Sequence, residues 1–71
     1  MKYLVVIEES DSGFGAYVPD LPGCIAAAAT RDEVTRLIHD AIEFHLDGLR
    51  QDGLPIPAVH SSAELVDVSA R

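Results

Sequence analysis

Apolar residues occupy both faces of the segment 2–9, which predicts a β-strand that is covered on both sides. A turn cluster at 10–13 and a second β-prone run at 14–18 predict that this strand returns as a hairpin. The alanine-rich run 24–29 is short and is bounded by turn and cap residues, so we interpret it as a third strand. The chain is therefore expected to begin with three pairing strands.

A helical period replaces the strand pattern over the segment 31–52. Gly53 is expected to end this helix, and 64–68 is one more β-prone run. The predicted order is β-β-β-α-β, a single small α+β domain whose antiparallel-rich sheet has one helix across it. The apolar positions of the helix form one stripe, which we expect to cover the sheet: Val34, Ile38, Ala41, Ile42, His45 and Leu49.

The connection between the second and third strands carries the clearest local signal. Pro19 cannot donate to a ladder and is expected at a strand end. Pro22 presets the first central angle of a tight turn, and Gly23 supplies the positive φ of a type II turn. Farther along, Thr30 and Glu33 have the spacing of a capping box, which predicts where the helix begins.

Length and charge narrow the class of protein. A chain of 71 residues is near the lower limit for a self-sufficient core, so we expect a homo-oligomer. Twelve acidic against five basic residues argue against direct nucleic-acid binding and leave either simple solubility or a basic protein partner. The apolar start is too short for a signal peptide or a membrane span, so we expect a cytoplasmic protein that does not bind membranes.

Cysteine and histidine give little sign of catalysis or metal binding. Cys24 has no adjacent base to lower its pKa, so we interpret it as a small buried hydrophobe. His39 and His45 are six residues apart on the predicted helix and point in different directions, unlike a pair of zinc ligands. We therefore expect neither a metal nor a cofactor.

The acidic residues suggest one enzymatic alternative, a small nuclease with two Mg²⁺ ions held by carboxylates at strand ends. Glu8 and Glu9 weaken this interpretation because neighbours in a strand point to opposite faces. In addition, nothing basic is placed to hold a phosphodiester. The residues considered are Glu8, Glu9, Asp11, Asp20 and Glu33.

The segments 15–24, 30–33 and 40–49 together closely resemble the HicB-like antitoxins of type II toxin–antitoxin systems. Within them, Pro-Asp-Leu-Pro-Gly-Cys at 19–24 is the most specific part. The likeness covers residues 1–70, which we expect to be one domain. It implies a partial ribonuclease-H-like fold with the same order of elements.

The resemblance also implies a function without catalysis: binding and masking a small basic mRNA-cleaving ribonuclease of the HicA type, encoded nearby. An acidic chain complements such a toxin electrostatically. Many family members continue into a DNA-binding domain, and we expect none here. The alternatives are the Mg²⁺-dependent nuclease and a structural or ligand-binding homo-oligomer that has no toxin partner.

Three groups of residues follow as candidates. Exposed acidic groups near the hairpin and the turn are expected to face the toxin: Glu8, Glu9, Asp11 and Asp20. Self-association is expected through edge pairing of a strand or through a flank of the helix that includes an otherwise costly glycine: Leu37, Phe44 and Gly48. The family motif is interpreted as scaffold: Pro19, Pro22, Gly23, Cys24, Thr30 and Glu33.

Overall fold

The computed structural model describes residues 1–69 and shows a three-stranded antiparallel sheet with one helix. Strands β1 (Val6–Ser10), β2 (Gly13–Tyr17) and β3 (Ile25–Ala28) lie in the order β1-β2-β3. Helix α1 (Arg31–Gln51) follows and packs on the sheet, chiefly on β2 and β3. The predicted α+β class, with one helix across an antiparallel sheet, is confirmed.

The core lies between α1 and one face of the sheet. Leu21, Val34 and Ile38 are fully buried there. Leu46 is also buried, whereas His45, a member of the predicted stripe, is half-buried. The buried stripe is therefore rotated slightly from its predicted position. The sheet and its connection contribute the remaining buried side chains: Ala16, Val18 and Cys24.

Both ends of α1 are closed as predicted. The Glu33 N–H donates to Thr30 Oγ1 at 3.2 Å, and the Thr30 hydroxyl donates to the Glu33 carboxylate at 3.1 Å. At the other end, Gly53 takes a φ of 69° and its N–H donates to the carbonyl of Arg50. The Leu54 N–H then donates to the Leu49 carbonyl at 2.9 Å, which completes a Schellman motif.

Two consecutive tight turns join β2 to β3. The Leu21 N–H donates to the Val18 carbonyl at 3.0 Å, and the Cys24 N–H donates to the Leu21 carbonyl at 3.1 Å. Gly23 has a φ of 84°, as the predicted type II turn requires. Cys24 is buried as expected, and burial raises the pKa of its thiol. The connection therefore returns the chain from β2 to β3 in seven residues, 18–24.

The predicted last strand, 64–68, is wrong for this structure. The segment makes no ladder, and its side chains are exposed, with Leu65 completely so. A β-prone run becomes a strand only by pairing with an edge strand, and within residues 1–69 this segment pairs with neither β1 nor β3. The observed order is β-β-β-α, and residue 70, the end of the expected domain, lies outside the described residues. The likeness to ribonuclease H stays a prediction.

Candidate functional site

The face of the sheet that points away from α1 is open and carries an apolar row. Val6 pairs with Tyr17, and Tyr17 pairs with Ile25, so the three side chains lie side by side across all three strands. Tyr17 is 42% exposed and Ile25 is 70% exposed. We call these three residues the outer row.

The next row of this face has an acidic side chain at one end and otherwise contains only small residues. Glu8 pairs with Gly15, which pairs with Ala27, so backbone is accessible beside the outer row. An open groove of about 410 Å³ continues from there to the tip of the hairpin. Its lining consists mostly of small residues: Ser10, Ser12, Gly13, Phe14, Gly15, Ala27 and Ala28.

Three of the predicted toxin-facing carboxylates gather at the β1–β2 hairpin. Glu8, Glu9 and Asp11 are all exposed, and no salt bridge to any of them occurs within residues 1–69. We call them the acidic hairpin. Glu8 lies in the row next to Tyr17, so the acidic hairpin adjoins the outer row through Glu8, whereas Glu9 pairs with Phe14 and lies on the other face. Contact with a toxin stays a prediction for each of the three.

Asp20 differs from the other three, and the expectation that it is exposed is wrong. Only 4% of its surface is accessible, because its carboxylate binds the segment that follows α1. Oδ2 accepts the N–H groups of His60 and Ser61, each at 3.1 Å, and Oδ1 accepts the Ser61 hydroxyl at 2.7 Å. We call Asp20, His60 and Ser61 the Asp20 latch. A toxin could reach this carboxylate only after the latch opened.

The latch favours the charged form of Asp20. The Ser61 hydroxyl lowers the pKa of the carboxyl most, while burial opposes this and the two backbone N–H groups reinforce it. His60 Nε2 lies 3.2 Å from Oδ1 and adds attraction when the ring is protonated. The carboxylate is therefore ionised at neutral pH and holds residues 60–61 against the β2–β3 connection.

The helix flank predicted for self-association is exposed. Leu37 is 44% and Phe44 81% accessible. A Cβ on Gly48 would meet no atom within 4 Å. Close packing at Gly48 therefore has no partner within residues 1–69, and self-association through this flank stays a prediction.

The carboxylates considered for a nuclease are not brought together. Glu9 pairs with Phe14 near the hairpin end of β2, whereas Asp20 lies in the tight turn beyond the other end of that strand. Within residues 1–69, no group of three or more His, Cys, Asp or Glu side chains has the arrangement of a metal site. The same part of the chain contains no helix that is both long and apolar enough to cross a membrane.

Sequence reasoning missed Tyr17 and Ile25. The signal was present, because Tyr17 alternates with Ala16 and Val18, which are buried under α1. Recognising Ile25 as its neighbour also required the β2–β3 register, which depends on the two turns at 18–24. The acidic hairpin was visible as a charge cluster, whereas the apolar row was not.

Three proteins of known sequence are similar to most of this chain. An uncharacterized 14.9 kDa protein from the rep-hol intergenic region of Haemophilus phage HP1 is 37% identical over 57 residues, which are 80% of this chain and 43% of the phage protein. A UPF0150 protein of Helicobacter pylori is 41% identical over 69% of this chain and 68% of its own length. A UPF0150 protein of Thermoplasma acidophilum is 34% identical over 99% of this chain and its own full length.

A solved structure and a family model give the more informative matches. The structure is described as a HicA3 and HicB3 toxin-antitoxin complex, and the match has a TM-score of 0.70 and 28% sequence identity. It covers 84% of this chain and 70% of the matched chain. The model of the HicB-like antitoxin of bacterial toxin-antitoxin systems matches residues 3–70. Because this model matches nearly the whole chain, the chain belongs to the HicB-like antitoxin family.

Proposed function

We propose that this protein is a non-catalytic antitoxin that binds a small basic ribonuclease toxin of the HicA type in the cytoplasm. The observation that carries the proposal is the outer row, an exposed apolar strip that adjoins the acidic hairpin in a HicB-like chain. The likeness to a chain of a HicA3 and HicB3 toxin-antitoxin complex supports the same kind of partner.

The two parts of this surface have different roles in the proposal. Tyr17 and Ile25 supply the buried contact area, because aromatic and aliphatic anchors at the centre of an interface carry most of its binding energy. The acidic hairpin, together with the net charge of −7, attracts a basic partner and speeds association. A protein that cleaves RNA needs a basic surface, so the same charges direct this chain toward the surface to be masked.

Masking requires no reaction by the antitoxin. A protein that covers the RNA-binding surface of the toxin prevents cleavage by exclusion alone. The small residues beside the outer row, Gly15 and Ala27, let a partner approach the sheet closely. The open sheet face is the part of the molecule that the proposal assigns to the toxin.

The proposal is tested by titrating the chain against the purified basic protein encoded by an adjacent gene, with calorimetry as the readout. Tyr17→Asp places a charge in the outer row and is expected to weaken binding at least about a hundredfold. Leu37→Asp is the matched control, because Leu37 is 44% exposed against 42% for Tyr17 but lies on α1. It should leave the affinity within about twofold.

The acidic hairpin is tested separately through salt dependence. Replacing Glu8, Glu9 and Asp11 by their amides should slow association, and the difference from the wild type should shrink as salt is added. The proposal fails if the chain does not bind the neighbouring basic protein. It also fails if Leu37→Asp abolishes binding while Tyr17→Asp has no effect.

A further inference from the structure

The segment 62–69 extends from the body of the protein with its apolar side chains uncovered. Leu65 is completely exposed, Val66 is 66% exposed and Val68 is 81% exposed. Single exposed apolar residues are common, but three within four residues are not. Their exposure to water is unfavourable, because burial of apolar surface lowers the free energy. In an extended chain Val66 and Val68 share a face, and Leu65 lies on the other. Exposed apolar side chains on both faces of an extended segment are typical of a β-strand that has no neighbouring strand to pair with.

A groove beside the free edge of the sheet has complementary features. β1 is an edge strand, and the segment that leads into it forms one wall of an open groove of about 510 Å³, with α1 as the other wall. The floor is apolar, and the rim carries charges of both signs, with Glu43 as its acidic residue. The lining includes Lys2, Tyr3, Val5, Ile42, Leu46 and Arg50.

Charge also matches the segment to the groove. Lys2 lies at the groove and has no ion pair within residues 1–69, whereas Arg50 already lies 3.1 Å from the Asp47 carboxylate and Glu43 also lines the groove. The uncovered segment carries Glu64 and Asp67 among its apolar residues. A strand laid along the groove places opposite charges near each other while its valines cover the apolar floor.

The path of the chain directs this segment away from its own groove. The Tyr3 hydroxyl donates to the carbonyl of Pro57, which fixes the chain near the start of β1. Three residues later, the Asp20 latch holds residues 60–61 at the β2–β3 connection. The chain thus moves from the β1 side of the sheet past the end of β2. Residue 64 is three residues beyond the latch, a reach of about 10 Å.

We propose that residues 64–68 of one copy add as a strand to the β1 edge of a second copy and cover its groove, and that the second copy does the same in return. The result is a symmetric dimer in which each protomer supplies the strand that the other lacks. It gives a 71-residue domain a larger core than it has alone. Strand addition extends the sheet in its own plane and leaves the outer row open.

The first test measures the mass of the full chain by light scattering over a range of concentrations. The expected result is a dimer of twice 7.6 kDa. Val66→Asp with Val68→Asp should raise the dimer dissociation constant at least about a hundredfold, because two charges replace the apolar contacts. Phe44→Asp is the matched control, since Phe44 is as exposed as Val68 (81% each) but belongs to the helix flank. It should leave the dimer intact.

The second test uses charge reversal. Lys2→Glu should weaken the dimer, and adding Glu64→Lys with Asp67→Lys to the same chain should restore it. All three side chains are on exposed residues, so circular dichroism should show the wild-type fold throughout. Rescue by reversal distinguishes pairing of the segment with the groove from a general effect of charge.

Three results would overturn the proposal. One is a dimer lost in Phe44→Asp but retained in the double valine variant, which would place the interface on the helix flank. Another is a monomer at every concentration. The third is amide protection of residues 64–68 that arises only when a toxin is added, which would make the segment part of the toxin interface.

Discussion

Asp20 connects parts of the chain that are forty residues apart, and its three accepted hydrogen bonds explain why an aspartate stands in this turn. The pKa of Asp20 is lowered in the folded protein from an ordinary value of 3.8. The stabilisation is therefore fully present above about pH 4 and is lost as the pH falls through the lowered folded value.

We predict that the latch opens in acid. The Ser61 amide resonance of the wild type should show a step below about pH 4, as Asp20 is protonated. Asp20→Asn should abolish that step, because the amide side chain does not ionise. Asp11→Asn, at an exposed carboxylate of the hairpin, is the control and should keep the wild-type profile. A step that survives in Asp20→Asn would show that another group holds residues 60–61.

Gly13 is the glycine whose replacement should be most damaging. It has a φ of 141°, and a Cβ added there would lie 2.5 Å from the Ala28 carbonyl oxygen. Gly13→Ala should lower the free energy of unfolding by at least about 2 kcal/mol, measured by urea denaturation. Gly15→Ala, where a Cβ meets nothing within 4 Å, should cost nothing or stabilise the strand slightly. Equal losses in both variants would contradict the geometry of the hairpin.

At the level of secondary structure, the local rules worked where the signal is contained in a few neighbouring residues. The cap at Thr30, the turn at Pro22 and Gly23, and the helix end at Gly53 could all be predicted, because each depends on backbone angles and hydrogen bonds within six residues. The segment 64–68 could not, since a strand needs a free edge that the sequence does not reveal. The same limit hid the outer row.

The helix cap gives a prediction at this scale. Thr30→Ala should destabilise the protein by about 1 kcal/mol, because the N–H of Glu33 loses its acceptor at the start of α1. Thr35→Ala is the matched control. The Thr35 hydroxyl donates to the Arg31 carbonyl within the helix, so alanine should be neutral or stabilising there. Thermal unfolding of both variants checks the difference.

At the scale of the whole molecule, two apolar surfaces are exposed at different sides of a small sheet. The outer row faces away from α1, and the groove lies at the β1 edge. The first surface is proposed to bind a toxin and the second another copy of the chain, so the two associations should be independent. Tyr17→Asp is expected to remain a dimer, and the double valine variant is expected to keep its affinity for the toxin. Light scattering and calorimetry on the same two proteins check this.

The central claim is that this protein neutralises a ribonuclease by covering it. The most direct measurement is RNA cleavage by the purified neighbouring basic protein, followed as this chain is added. The account predicts that cleavage falls to zero near one chain per toxin, that Leu37→Asp inhibits equally well, and that Tyr17→Asp requires at least about a hundredfold more protein. Undiminished cleavage in the presence of excess wild-type chain would contradict it.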